Sequence, residues 1–406
     1  MAIAPNPATL VLSLVGVPTR MIKFAKIIAT GVTIASVWTG CLVSSATALP
    51  IAPQKQNLGQ QLFQNIQQCL REQVPNPLQV TLEELQAISM QCVFEVVLLA
   101  PDGSLRPDAS DRMMALVETT GVTIPQPTSQ GEASVELRSL PDSRVFGLPV
   151  TVGGESQQFL FDTGASNSIV SDRIARELGL EGTPIPEQLL TYFAVGDNCE
   201  DLDATLHSIP IVAVENASVE GMTGMGLPAS AIPSNLSGVL GVDFWSGFDV
   251  KLDPQAKRVE LLARSPLTPD AISLEGKMGI MATQVQINDR DPVTLGLDTG
   301  ADLMVISDRL ARQLSLDLDN AREREILGFC GTQMGQQVTL DRVRIQQHEL
   351  TNLEAVIIDA QILDLVGVDG LVGQNFLTRY RQHWRFGELN PLGFPDRGSL
   401  ELEPIQ

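Results

Sequence analysis

Short runs of alternating apolar and polar residues fill the chain from residue 133 to its end. Examples are Val150–Gly154 and Val285–Asp289, and the runs are separated by Gly, Pro, Asn and Asp. Alternation with a period of two is typical of strands that bury one face, and the intervening residues are typical of turns. The pattern predicts that about two thirds of the chain is mainly β structure.

Residues 49–124 have a different pattern, with apolar residues at helical spacing. We expect a helix over Asn57–Gln73, a second helix that opens at Thr81 with the spacing of a capping box, and a third over Ser110–Glu118. The apolar run Val93–Leu99 fits a short strand. The sequence therefore predicts a small α-rich N-terminal region, either a prosegment or an accessory unit, followed by a Pro- and Gln-rich linker at 125–132.

Residues 1–48 have the pattern of a secretory signal peptide. Basic residues precede an uncharged run, which ends in the small residues Ala46 and Ala48. We expect cleavage after Ala48 and an extracytoplasmic protein, periplasmic or secreted. The alternative is a membrane anchor through the N-terminus or through an acylated Cys41, which follows Gly40.

Charge and composition exclude several classes of function. The chain has 48 acidic and 27 basic residues, a net charge of -21, and this field repels nucleic acid and anionic membrane surfaces. Three His and five Cys, none closely spaced, are too few for a zinc site. We therefore expect no metal, no cofactor and no nucleic-acid partner.

An internal repeat divides residues 133–406 into two similar lobes. Residues 162–180 (DTGASNSIVSDRIARELGL) and 298–316 (DTGADLMVISDRLARQLSL) are identical at 11 of 19 aligned positions. Each copy is followed by a hydrophobic-hydrophobic-Gly element, Val239–Gly241 and Leu371–Gly373. We expect tandem lobes at 133–265 and 266–406 that are related by a pseudo-twofold axis.

Each repeat presents one carboxylate where an apolar strand runs into a turn, Asp162 in the first and Asp298 in the second. A pseudo-twofold axis would bring the two carboxylates face to face. Because like charges a few ångströms apart cannot both ionise, such a pair holds one proton between its members. One carboxylate can then act as a base on water while the other acts as an acid on a substrate carbonyl.

The two Asp-Thr-Gly-Ala segments and their downstream glycine elements resemble the retropepsin/pepsin class of aspartic proteases, in the form of one chain with two retropepsin-like lobes. The resemblance implies that Asp162 and Asp298 are the catalytic pair. It also implies supporting roles for neighbouring residues: Thr163 and Thr299 brace the two loops, Gly164 and Gly300 admit water and peptide, and Gly241 and Gly373 pack behind the pair.

Two further positions in the resemblance differ between the lobes. Ser166 is expected to donate a hydrogen bond that favours the ionised form of Asp162, whereas its counterpart is the carboxylate Asp302. The lobes are therefore not electrostatically equivalent. Ser171 of the repeat is interpreted as a helix cap rather than a nucleophile, since no His recurs with it.

Members of this class close hairpins, the flaps, over the substrate. The resemblance places them within Tyr192–Ile211 and Glu325–Ile345, where Cys199 and Cys330 occupy similar positions. Our hypothesis is a disulfide between the two flaps, which leaves Cys69 to pair with Cys92. Separate buried thiols in each lobe are the alternative. Tyr192 is the nearest match to the flap tyrosine of pepsin-like members.

The resemblance implies an exported endopeptidase that hydrolyses peptide bonds of a polypeptide substrate. Because both half-sites lie in one chain, we expect activity as a monomer. The alternative from another class is a catalytically silent peptide-binding or scaffolding protein with the same fold.

Overall fold

The computed structural model describes residues 53–405 apart from 77–79, 81, 102–105, 107, 121–125, 186–189, 191–193, 200–201, 234–235 and 319–320. The expected signal peptide at 1–48, Cys41 and Tyr192 lie outside the described residues. Within the described part of the chain, no helix is both long enough and apolar enough to cross a membrane.

Three helices make up the N-terminal region: Pro53–Gln73 (α1), Leu82–Val97 (α2) and Ala109–Thr120 (α3). Leu62, Ile66 and Leu70 recur every four residues on α1 and are buried, so this helix packs one apolar stripe against the other two. A disulfide between Cys69 and Cys92 ties α1 to α2, with the two Cα atoms 5.7 Å apart.

The predicted strand at Val93–Leu99 is wrong, because α2 continues to Val97. Val93 and Val97 lie one helical turn apart and are both buried. A short apolar run is compatible with a buried helix as well as with a buried strand. Composition alone therefore could not distinguish the two structures.

The remainder is mainly β, as predicted. Its first half contains the strands Thr128–Gln130 (β1), Ala133–Glu136 (β2), Arg138–Ser139 (β3), Phe146–Val152 (β4), Glu155–Phe161 (β5), Ile169–Ser171 (β6), Gly182–Pro184 (β7), Thr205–Ser208 (β8), Val212–Val214 (β9), Ala217–Glu220 (β10), Thr223–Leu227 (β11), Gly238–Leu240 (β12), Asp249–Asp253 (β13) and Arg258–Leu262 (β14). Two short helices accompany them: Asp172–Glu177 (α4) and Val242–Trp245 (α5).

The second half repeats this plan. Its strands are Ile272–Lys277 (β15), Ile280–Ile287 (β16), Val293–Leu297 (β17), Met304–Ser307 (β18), Arg322–Gly328 (β19), Gly331–Ile345 (β20), His348–Ile358 (β21), Gly370–Val372 (β22), Tyr380–Phe386 (β23) and Arg397–Pro404 (β24). Its helices are Asp308–Leu314 (α6), Gln361–Val366 (α7) and Gln374–Leu377 (α8).

The two copies of the sequence repeat fold in the same way. In the first lobe β12 lies between β5 and β6, parallel to β5 with Leu240 opposite Phe161. In the second lobe β22 lies between β17 and β18, parallel to β17 with Val372 opposite Leu297. In each lobe, the last three residues of the strand that precedes the Asp therefore pair with the strand that leads into the downstream glycine.

The lobes share a sheet at their base. Strands β2, β13 and β14 come from residues 133–265, but they join β23 and β24 in the 13-stranded sheet of the second lobe, with Val250 opposite Trp384. Trp245 and Trp384, the latter on β23, are fully buried in an apolar cluster that includes residues of this sheet. The expected division at 265/266 therefore separates the repeats in sequence, but the structure pairs strands across it.

The expected linker at 125–132 contains a strand. Residues Thr128–Gln130 form β1, which pairs antiparallel with β10 at the edge of the first lobe's sheet. Gln130 and Ser218 are partners in this register. Linker-like composition did not reveal the pairing, because a polar edge strand and a polar loop have similar residues.

Candidate active site

Asp162 and Asp298 each begin a tight loop at the end of an apolar strand. The Oδ1 atom of Asp162 accepts hydrogen bonds from the backbone N–H groups of Gly164 (2.7 Å) and Ala165 (3.1 Å). The Oδ1 atom of Asp298 accepts from Gly300 (2.8 Å) and Ala301 (3.1 Å) in the same way. The two loops are thus near-identical cradles that hold one oxygen of each carboxylate.

Threonine side chains lock the two loops together. The backbone N–H of Thr163 donates to Oγ1 of Thr299 at 2.9 Å, and the N–H of Thr299 donates to Oγ1 of Thr163 at 3.1 Å. Each hydroxyl then donates to a carbonyl of the opposite lobe, Thr163 to Leu297 (2.8 Å) and Thr299 to Phe161 (3.2 Å). All four bonds are buried and cross between the lobes, which is the brace that the resemblance implied.

The absence of side chains at Gly164 and Gly300 allows the two carboxyl groups to approach each other. A Cβ atom added at Gly164 would lie 2.3 Å from Cγ of Asp298, and one at Gly300 would lie 2.4 Å from Cγ of Asp162. Each carboxyl group therefore rests against the glycine of the opposite loop. The two carboxyl groups are both buried and lie side by side across the loops.

The two carboxyl groups are electrostatically coupled. Burial raises the pKa of Asp298, and it raises the pKa of Asp162 well above its usual range, where the charge of Asp298 adds to the effect of burial. The backbone N–H groups of the cradles act in the opposite direction but do not cancel these effects. Both carboxyl groups are consequently harder to ionise than an isolated carboxyl group.

The hydrophobic-Gly elements lie directly behind the loops. A Cβ atom at Gly241 would be 2.6 Å from the carbonyl oxygen of Ala165, and one at Gly373 would be 2.2 Å from that of Leu303. The N–H groups of Val242 and Gln374 donate to Ala165 and Ala301, both at 2.8 Å. These contacts agree with the packing role expected for the two glycines.

The expectation for Ser166 is not what the structure shows. Its hydroxyl donates to the backbone carbonyl of Met278 at 2.8 Å, so its one hydrogen is directed into the second lobe instead of towards Asp162. Asp302, its counterpart, accepts from the backbone N–H (2.7 Å) and the guanidinium (3.1 Å) of Arg144 in the first lobe. Both positions hold the lobes together on either side of the pair, and Arg144 neutralises the extra carboxylate.

A cavity of about 460 Å³ opens above the two carboxyl groups. Its wall is mainly apolar and includes Leu160, Ile280, Leu303 and Val356. Asn167 also lines it, and among the described residues no group hydrogen-bonds to the buried Oδ1 atom of this side chain. Sequence reasoning missed Asn167, although alignment of the repeat places it opposite Leu303 and already marks the difference.

Two hairpins lie over the cavity. The lobe-2 flap is the hairpin of β19 and β20. The lobe-1 flap is the hairpin of β7 and β8, whose strands are shorter and whose longer connecting segment includes Ala194–Cys199 at its tip. The tips are joined by a disulfide between Cys199 and Cys330. The structure thus contains both disulfides of the hypothesis, and neither pair is present as separate thiols.

The repeated helices begin with serine caps. Oγ of Ser171 accepts from the N–H of Ile174 at 3.3 Å, and Oγ of Ser307 accepts from that of Leu310 at 3.1 Å. Both serines are buried. Their positions agree with a structural role at the helix ends.

Family comparisons match both lobes. Residues 148–244 match a family described as "Aspartyl protease", and residues 283–379 match one described as "gag-polyprotein putative aspartyl protease". The first match contains Asp162 and the second contains Asp298. No curated protein matches the sequence.

Solved structures that this chain matches in part include a retropepsin-like aspartic protease from Rickettsia conorii, at 17% identity and a TM-score of 0.23, with 32% of this chain and 92% of that chain covered. They also include an aspartic proteinase from Irpex lacteus, at 12% identity and a TM-score of 0.37, with 67% of this chain and 97% of that chain covered. The similarity of this chain to aspartic proteases therefore rests on the family matches to its two lobes.

The threonine brace predicts a specific loss of stability. Thr163→Val keeps the shape of the side chain but removes the bond to Leu297 and leaves the N–H of Thr299 without its acceptor. We expect the free energy of unfolding to fall by about 1–3 kcal/mol, the cost of an unsatisfied buried polar group. Urea unfolding would measure this loss of stability.

Thr351→Val, on an exposed position of β21, is the control and should change stability by less than about 0.5 kcal/mol. Equal effects of the two substitutions would contradict the brace.

The raised pKa of the pair predicts an unusual pH dependence of stability. The native protein retains a proton that the unfolded chain releases near pH 4, so the pair lowers wild-type stability as the pH rises through its folded pKa. Asp298→Asn does not titrate, so we expect its urea midpoint to exceed that of the wild type at pH 7 and the gain to shrink towards pH 4.

Asp253→Asn provides the control of opposite sign. Burial raises the pKa of Asp253, but the N–H of Ala256 and the guanidinium of Arg381 outweigh it, so its pKa is lowered. This substitution should reduce stability at pH 7, and the loss should shrink as the pH falls. A pH-independent effect of Asp298→Asn would show that the pKa of Asp298 is not raised in the native protein.

Proposed function

We propose that this chain, a member of the retropepsin/pepsin-like aspartic proteases with two tandem protease lobes, is an active endopeptidase that hydrolyses peptide bonds with water. The observation that carries the proposal is the buried carboxyl pair, one member from each lobe and each against the glycine of the opposite loop, at the floor of an apolar cavity. Burial of two neighbouring carboxyl groups destabilises the fold. A pair of this kind can transfer protons during catalysis, which explains why a protein would retain it.

The proposed mechanism needs only the groups of the pair and a water molecule. The ionised carboxylate removes a proton from water, whose oxygen attacks the substrate carbonyl carbon. The protonated carboxyl group gives its proton to the carbonyl oxygen, and a tetrahedral diol forms. The diol then collapses: one of its hydroxyls returns a proton to a carboxylate, the other carboxyl group protonates the leaving nitrogen, and the C–N bond breaks.

Export and a monomeric active form belong to the same proposal. Two disulfides are typical of proteins from oxidising compartments, which supports an extracytoplasmic location. Both carboxyl groups come from one chain, so no second copy is needed to complete the site. The α-rich region at 49–124 would be a prosegment or an accessory unit, since none of the residues described there lines the cavity.

A silent peptide-binding protein is the second candidate, and the joined flap tips favour it because they restrict access to the cavity. The two candidates differ in turnover. A silent protein binds peptide without cleaving it and tolerates Asn at either carboxyl position.

The first prediction of the proposal concerns the two aspartates. The chain from residue 49 onwards should cleave denatured casein or a peptide library between pH 3 and pH 7. Asp162→Asn and Asp298→Asn should each abolish cleavage, since each removes one of the two proton-transfer groups. A statine-type peptide should inhibit the wild type. Asp253→Asn is the control for loss of a carboxylate elsewhere. Activity that persists in either active-site variant would exclude the mechanism.

A second prediction concerns Asn167, which lines the cavity on the lobe-1 side with a buried Oδ1 atom that no described group hydrogen-bonds, while Leu303 occupies the matching place in lobe 2. We expect preferred substrates to carry a hydrogen-bond donor on the lobe-1 side and an apolar group on the lobe-2 side. Asn167→Leu should reduce kcat/KM for donor-containing peptides about ten-fold relative to wholly apolar ones, the effect of one lost hydrogen bond of about 1.4 kcal/mol. Library cleavage would measure this ratio, and an unchanged ratio would contradict the assignment.

A further inference from the structure

We propose that the covalently joined flaps make the cleft a closed passage, so that substrates enter by threading a free chain end and internal loops of folded proteins are excluded. The inference rests on the proposed function and deepens it, because it names the substrate class as polypeptides with an accessible, extended terminus.

The junction between the flap tips is held by several bonds. Besides the Cys199–Cys330 disulfide, the N–H of Cys330 donates to the carbonyl of Val195 at 3.0 Å, and the N–H of Asn198 donates to that of Cys330 at 2.9 Å. The N–H of Asp197 donates to the carbonyl of Thr332 at 3.2 Å. Both sulfur-bearing residues are buried, with at most 3% of their surface exposed. The tips form a single bridge from one lobe to the other.

This bridge spans the space above the carboxyl pair. Ala194 and Val195 of the lobe-1 flap line the same cavity as Asp162 and Asp298. Residues 324–329 of the lobe-2 flap line it too. The two backbones are in close contact, because a Cβ atom at Gly328 would lie 2.1 Å from the carbonyl oxygen of Val195. A peptide at the carboxyl groups would therefore lie beneath the bridge.

The two lobes are also connected below the cavity. The four hydrogen bonds between the Thr163 and Thr299 loops connect the lobes below the cavity, and the shared sheet connects them at the base. A closed path therefore runs up one lobe, across the disulfide, down the other lobe and back through the brace. A chain that occupies the cleft passes through this ring.

A ring changes which substrates can enter. Flaps that are free at their tips can part and admit a chain from above, at any point along its length. Flaps that are joined at their tips cannot part as long as the disulfide is intact. A substrate must therefore enter beneath both flaps, or both flaps must move away together. An extended terminus can pass through the opening, whereas a chain with a folded domain at each end cannot.

The test compares one cleavable peptide in three forms: with both ends free, with a folded domain fused to one end, and with folded domains fused to both ends. Threading predicts that the wild type cleaves the first two and cleaves the third at least 50-fold more slowly. The one-domain form controls for bulk. The proposal would be overturned if the one-domain and two-domain forms were cleaved at similar rates.

The disulfides provide matched variants. Cys199→Ser combined with Cys330→Ser should raise the ratio of two-domain to one-domain cleavage at least ten-fold, because the tips can then part. Cys69→Ser combined with Cys92→Ser removes the disulfide of the helical region and should leave the ratio unchanged. A ratio that is the same in both double variants would overturn the proposal.

Reduction of the wild type provides a second measurement that does not depend on a variant's folding. A dithiol transfers two electrons and two protons to the bridge, so that Cys199 and Cys330 become thiols and the dithiol closes to a cyclic disulfide. Alkylation and mass mapping would identify the reduced pair. The two-domain peptide should then become a substrate.

Binding separates failure of this inference from failure of the proposed function. The three peptide forms would be made with a non-hydrolysable reduced-amide bond, and their association rates with the wild type would be measured by fluorescence. If the protein cleaves nothing but associates at least 50-fold more slowly with the two-domain form, the endopeptidase proposal fails and the closed passage stands. Equal association rates for all three forms would exclude the closed passage whether or not cleavage occurs.

Discussion

Two buried carboxyl groups pressed against each other destabilise a protein, and the rest of this structure is arranged around holding them there. The repulsion and the lost hydration act to separate the loops of Asp162 and Asp298. Four buried hydrogen bonds through Thr163 and Thr299 oppose this separation. Glycine at the next position of each loop removes the side chain that would otherwise keep the carboxyl groups apart. The raised pKa of each carboxyl group is a product of this confinement.

The lobes are similar in backbone but different in the groups they present. Ser166 and Asp302 occupy equivalent positions and both reach across to the other lobe, yet one donates to the carbonyl of Met278 and the other accepts from Arg144. Asn167 and Leu303 differ in the same way at the cavity wall. Duplication supplied two equal halves of the carboxyl pair, and the surrounding positions make the two sides of the cleft chemically distinct.

Much of the fold and of the site could be predicted because the chain contains the same motif twice. A repeat fixes which residues are equivalent, and equivalence about an axis brings Asp162 to Asp298 without knowledge of the strands between them. Local patterns carried less information. The run at Val93 was consistent with a strand or with a helix, and the polar residues of β1 resembled a linker. The hydrogen-bond partner of Ser166 is the carbonyl of Met278, more than a hundred residues away in sequence. No local pattern specifies a partner at that distance.

The shared sheet at the base has a consequence for the order in which the chain can fold. β2 pairs with β14, where Val135 lies opposite Val259, and β13 pairs with β23, where Val250 lies opposite Trp384. Contacts of such long sequence separation form slowly, because a long loop must close before any pairing compensates for its entropy. The base of the first lobe cannot be completed until β23 has left the ribosome. The first lobe therefore reaches its native state only after synthesis has passed Phe386, more than a hundred residues beyond the end of that lobe's own sequence.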